Sequence, residues 1–188
     1  MPDREILKSL PKDTLIDLLE DAAKNWLSHD GLWFLAVENY AGMETAIQLD
    51  REAWVSFTQI EARRIMKRQE LPSRGGIPAL KQALQFRLYA RINEQTLIDI
   101  NESILRFEMN DCRVQSARKR KGLPDFPCKA VGIAEYAYFA HTIDDRIRTE
   151  VICCPPDDHP EEYYCAWQFT LEKDPIPISE LDSIGAED

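Results

Sequence analysis

Five cysteines are the residues best suited to chemistry: Cys112, Cys128, Cys153, Cys154 and Cys165, none in the first 111 positions. The spacings from Cys112 to Cys128 to Cys154 to Cys165 are 16, 26 and 11 residues, and no Cys-x-x-C occurs. That excludes a local zinc knuckle or a thioredoxin-type motif. It fits a site assembled from separate strand ends and a helix N-terminus. Three or four converging thiolates would suit zinc, iron or an iron–sulfur cluster, because soft ligands select those metals. His159, in the stiff run Pro155-Pro156-Asp157-Asp158-His159-Pro160, is a candidate fourth ligand or supporting group. Cys154 is preferred to Cys153 because it abuts the prolines, and adjacent strand residues point to opposite faces.

Two other readings of the same cysteines stay open. A thiolate nucleophile needs a lowered pKa, and Cys128-Lys129 and Cys112-Arg113 set cations beside thiols, with His29, His141 and His159 as candidate bases. Alternatively the cysteines are small core hydrophobes.

Glu61 falls on the same helical face as Trp54, Phe57 and Ile65, so its carboxyl is a candidate ligand-binding or acid–base group. Glu38, within an apolar stretch, has the same ambiguity. Arg113 and the run Arg118-Lys119-Arg120-Lys121 could hold a carboxylate or phosphate, or form a solvated helix face. No phosphate loop, dinucleotide fingerprint, nucleophile elbow or His-Glu-x-x-His is present.

The elements that must position these residues change character along the chain. Helices are predicted over Asp13–Lys24, Leu32–Leu49, Arg51–Gln69 and Pro78–Arg91, with Asp30-Gly31 as a break and Asp50 as a cap. The Leu32–Leu49 stretch is apolar on most sides and reads as the central buried helix. Strands are predicted around Leu97–Ile100 and Leu105–Met109, joined by a turn at Asn101-Glu102-Ser103, and later over Arg146–Ile152 and Tyr163–Leu171. A basic helix over Val114–Lys121 and a helix over Cys128–His141 lie between them. The whole reads as an α+β domain over 1–188: a mainly helical part (1–92) packed on a small antiparallel sheet with the cysteines (93–172), then a frayed acidic tail (173–188).

Composition narrows the partners. The net charge of −10 and a pI near 4.9 argue against nucleic acid or an anionic membrane as partner. No apolar run approaches a membrane span, and the N-terminus lacks the pattern of a secretory signal. A cytoplasmic protein with reduced thiols is expected.

The segments Phe107-Glu-Met-Asn-Asp-Cys112-Arg-Val-Gln, Asp125-Phe-Pro-Cys128-Lys, Cys154-Pro-Pro-Asp-Asp-His159-Pro and Tyr164-Cys165-Ala-Trp167, with Gly31-Leu-Trp33-Phe and Ala62-Arg-Arg-Ile upstream, resemble an uncharacterised family of prokaryotic cytosolic proteins. More distantly, the order of cysteines is similar to the L-2-amino-thiazoline-4-carboxylic acid hydrolase-like family and the vinyl-4-reductase small-molecule-binding domain. The resemblance implies an α+β fold with a cysteine-bearing ligand pocket. The chain has Cys165-Ala166-Trp167 where the hydrolase-like family has Cys-Asp-Phe.

The leading expectation is therefore a small-molecule-binding protein with a cysteine-rich site. Zinc or iron would be held by Cys112, Cys128, Cys154 and Cys165, with His159 as substitute, and Arg113 and Glu61 would contact the ligand. One alternative is a hydrolase of C–N or C–S bonds in a small carboxylated substrate, using a Cys nucleophile or metal-bound water. Another is a homodimer with incidental cysteines, its interface supplied by the helices around Trp33 and Trp54.

Overall fold

The computed structural model describes residues 4–184. A short helix α1 (Glu5–Lys8) leads into two long helices, α2 (Lys12–Ala41) and α3 (Met43–Gln69). Helix α4 (Gly76–Leu84) and a 3-10 turn (Leu88–Arg91) follow. The hairpin β1 (Glu94–Asn101) and β2 (Ile104–Asp111) precedes helices α5 (Arg113–Arg120) and α6 (Lys129–Ile143). Strands β3 (Ile147–Cys153) and β4 (Cys165–Leu171) and helix α7 (Ile178–Asp182) complete the chain. The four strands form one antiparallel sheet in the order β1-β2-β4-β3. The α+β class expected from the sequence is the observed one.

The sheet's inner face follows strand alternation: Leu105, Phe107 and Met109 of β2 and Trp167 and Phe169 of β4 are all buried. Register sets Phe107 opposite Trp167 and Met109 opposite Cys165. Helix α6 lies on this face, with Tyr136 packed on Phe107 and Trp167 at ring separations of 5.2 and 4.7 Å. Helix α3 packs on the other side of α6, and Thr58 Oγ1 donates to the Glu135 carbonyl at 2.9 Å. Helix α2 joins outermost through Trp26, whose ring meets Trp54, Phe57 and Tyr89.

Several boundaries differ from those the sequence suggests. Asp30-Gly31 does not end a helix, because α2 runs through it. A helical Gly costs only about 1 kcal/mol, which packing overrides. The real break is Gly42, whose φ of 89° turns the chain from α2 into α3. Asp50 is consequently not a cap but lies inside α3. The buried central helix is α6, with eleven of fifteen residues buried, whereas Trp33 is 68% exposed and Tyr40 94% exposed. Periodicity finds apolar residues but not which helix the sheet covers. The predicted Pro78–Arg91 helix divides into α4 and the 3-10 turn. The predicted tail is ordered as far as it is described, since Ile176 and Leu181 pack on Ala137 and Tyr138; its last positions, 185–188, lie outside the described residues.

Candidate functional site

A cavity of about 630 Å³ opens among α2, α3, α5, α6 and the ends of β2 and β4. Four cysteines line it: Cys112, Cys128, Cys154 and Cys165. Each arrives from an element boundary. Cys112 caps α5 directly after β2, Cys128 caps α6, Cys154 follows β3 and Cys165 opens β4. Cys153 does not line the cavity; it is the last residue of β3, paired with Ala166. Gly132, one turn into α6, lets the helix approach the thiols. A Cβ there would stand 2.9 Å from Trp167 Cζ2 and 3.6 Å from Cys154 Sγ.

The thiols are held by one another and by neutral donors. Cys128 Sγ and Cys154 Sγ are 3.7 Å apart. The Gln115 side-chain amide donates to Cys128 Sγ at 3.4 Å, and its orientation is fixed by reciprocal bonds with the Phe126 backbone at 2.9 and 2.8 Å. The Trp167 indole donates to Cys165 Sγ at 3.3 Å. Hydrogen bonds with Cys128 and Cys165, followed by burial, drive the Cys154 thiol far above its ordinary range. Burial pushes Cys112 up to about 12. Cys112 and Cys154 are therefore protonated thiols at neutral pH, not nucleophiles in waiting.

The expected ligand set only partly converges. The 3.7 Å separation of Cys128 and Cys154 resembles the edge of a tetrahedral thiolate site, about 3.8 Å for Zn–S bonds of about 2.3 Å. Among the described residues, however, no group of three or more His, Cys, Asp or Glu side chains is placed to hold a metal ion. His159 is engaged elsewhere: its Nε2 lies 3.0 Å from Asp125 Oδ2, its Nδ1 lies 2.8 Å from the Pro160 carbonyl, and it does not line the cavity. Its pKa is raised, chiefly by the Asp125 bond working against burial. The residues present do not fit the predicted five-residue metal set. His141 bonds the Ile176 carbonyl at 2.9 Å, away from the thiols.

Glu61 serves structure. Its Oε2 takes Arg87 Nε at 2.9 Å and its Oε1 takes the Leu88 backbone N–H at 3.0 Å. It does not line the cavity. Arg87, only 3% exposed, also donates to Glu135 Oε1 at 2.7 Å, and its guanidinium lies 4.7 Å from the centre of the Phe139 ring. Arg113 does line the cavity, together with Arg118, Arg120 and Lys121, so α5 presents a basic wall.

Sequence reasoning missed the acidic end. Asp30, Asp50 and Glu135 line the same cavity, beside Trp54 and Tyr89. Burial raises Asp30. Burial, then the charges of Asp30 and Glu135, push Asp50 up to about 7, against a hydrogen bond from Trp54. Burial likewise pushes Glu135 up to about 7, with Arg87 opposing and Glu61 adding to the rise. A signal existed for Glu135: it sits in Ile133-Ala134-Glu135-Tyr136-Ala137, an apolar run at the heart of a predicted helix.

No helix of the described residues is long and apolar enough to cross a membrane. The comparison with curated proteins found no match. A family of unknown function, DUF6125, matches residues 8–171, which takes in both long helices, the whole sheet and every residue lining the cavity. The chain belongs to this family.

Proposed function

We propose that this protein binds a small, largely apolar organic molecule in the cavity, with protonated thiols at one end of it. The observation that carries the reading is the cavity itself. Its volume of about 630 Å³ lies within the roughly 300–1,000 Å³ of ligand pockets, and its lining mixes apolar side chains such as Leu27, Phe34, Leu35 and Phe126 with polar groups and charges of both signs. No step of the reading runs through a metal. The hydrolase alternative draws less support, because Cys112 and Cys154 hold their protons and no described histidine is hydrogen-bonded to a thiol.

The test is fluorescence titration with N-phenyl-1-naphthylamine, a neutral apolar dye. One dye per chain should bind in the micromolar range. Ala117→Trp, which fills the cavity from α5, should abolish binding while thermal unfolding stays cooperative. Dye binding that is absent, or untouched by Ala117→Trp in the folded variant, would overturn the reading.

A second reading, homodimerisation, is favoured by Leu18, Leu32, Trp33 and Tyr40 of α2, all exposed on one side of the helix. Trp54, expected to contribute, is 4% exposed and belongs to the interior. Light scattering should then give twice the chain mass, returning to one chain with Trp33→Ser; a monomeric mass at high concentration contradicts it.

A further inference from the structure

We propose that the end of the cavity bounded by α2, α3 and α6 recognises the cationic group of its ligand, so that the ligand is a small organic amine or amidine with an apolar body. This rests on the reading of the cavity as a ligand site. Asp30, Asp50 and Glu135 face one space from three different helices. Glu135 is nine-tenths buried, and while Oε1 takes Arg87, Oε2 takes no hydrogen bond from any described residue.

These carboxyls outnumber the cations paired with them. Arg87 is shared by two carboxylates, Glu61 and Glu135, which leaves one negative charge in excess. Asp30 and Asp50 form no ion pair with a described residue. The charges acting on Asp50 are those of Asp30 and Glu135, both negative, and His29 beside Asp30 is the opposing group there. Carboxyls gathered out of water either take up protons or are neutralised by a cation. The upward pKa displacement of all three corresponds to the first outcome. An ammonium or amidinium supplies the second, because its several N–H donors can reach more than one carboxylate. Trp54 and Tyr89 add aromatic faces beside the carboxylates, a setting that attracts cations. The ligand's body would then lie along Leu27, Phe34 and Leu35 towards the thiols. The basic wall of α5 makes an organic anion the competing occupant.

Displacement of N-phenyl-1-naphthylamine at pH 8 by benzylamine, benzyl alcohol and benzoate separates the possibilities, since the three share one apolar body. Benzylamine should displace the dye at a concentration at least tenfold below the other two. Asp50→Asn and Asp30→Asn, each confirmed folded by cooperative thermal unfolding, should lose that preference while still binding the dye. Equal displacement by all three, or a preference for benzoate, overturns the cation assignment and leaves the cavity reading standing. A preference that survives in both variants overturns the assignment of these carboxyls. Failure of the dye to bind overturns both the cavity reading and this inference.

Discussion

Four cysteines of the cavity lining come from element boundaries within the C-terminal part of the fold, whereas Asp30, Asp50 and Glu135 come from the interiors of α2, α3 and α6. Cys128, Cys154 and Cys165 find hydrogen-bond partners in one another and in Gln115 and Trp167, and thiols cost little to bury. The carboxyls are held together against their mutual repulsion by the packing of the helices, with Arg87 as the internal counter-charge and the Trp54 hydrogen bond on Asp50. The difference shows where recognition of charge can reside. Thiols favour shape and softness, whereas carboxyls that share one internal cation are set up to discriminate by charge.

Removing Arg87 should break this comparison most severely. Arg87→Leu leaves Glu61 and Glu135 buried without their cation. Loss of one partner of a buried charge network costs about 3–5 kcal/mol, so urea unfolding at pH 7 should show that loss. It should shrink near pH 5, below the value of about 7 at which Glu135 takes a proton; a loss below about 1 kcal/mol at pH 7 would remove Arg87 as the internal counter-charge. The thiol end is probed by Gly132→Val. Its Cβ would overlap Trp167 and touch Cys154, so destabilisation of about 1–3 kcal/mol with weakened dye binding is expected. Unchanged stability would mean that α6 can move away from β4.

The carboxyl end also predicts a pH dependence. Asp50 and Glu135 bind protons more tightly in the folded chain, where both stand near 7, than in the unfolded chain. Between the ordinary carboxylate range and pH 7 the native state therefore carries more protons, and these groups make stability fall as pH rises through that window, levelling off above it. Asn at position 50 cannot ionise. Asp50→Asn should stabilise by about 1 kcal/mol at pH 8, with the gain vanishing near pH 4. A gain independent of pH would contradict the placement of Asp50 among negative charges. The smallest effect belongs to the thiols: iodoacetamide at pH 8 should leave Cys112 unmodified in the folded protein, because its thiol ionises only near 12. Fast alkylation would show a more open site.

The contrast also explains what was legible beforehand. Cys112, Cys128, Cys154 and Cys165 stand out in sequence because they crowd one region and fall where alternation and prolines mark strand and helix ends. The place of Cys165 opposite Met109 follows from strand register, which alternation reveals. The helical N-terminal part and the antiparallel sheet were legible for the same reason. Asp30 and Asp50 were not, because beside Gly31 and before Arg51 they resemble a turn and a helix cap. Only once Gly42 is seen as the turn do both fall inside long helices. Their meeting with Glu135 depends on how three helices stack, which no local spacing records. Glu61 was placed on the correct apolar face, but Arg87, its partner 26 residues away, sits between α4 and the 3-10 turn, where a continuous helix had been predicted.

The most direct test of the account is a crystal structure of the protein soaked with 4-bromobenzylamine, read from the anomalous signal of bromine. The account predicts a bromine peak inside the cavity on the side of Cys112 and Cys128, with the amine nitrogen within hydrogen-bond distance of Asp30, Asp50 or Glu135. A well-diffracting soaked crystal whose cavity holds no bromine, or holds it against the carboxyls with the amine turned to solvent, would contradict it.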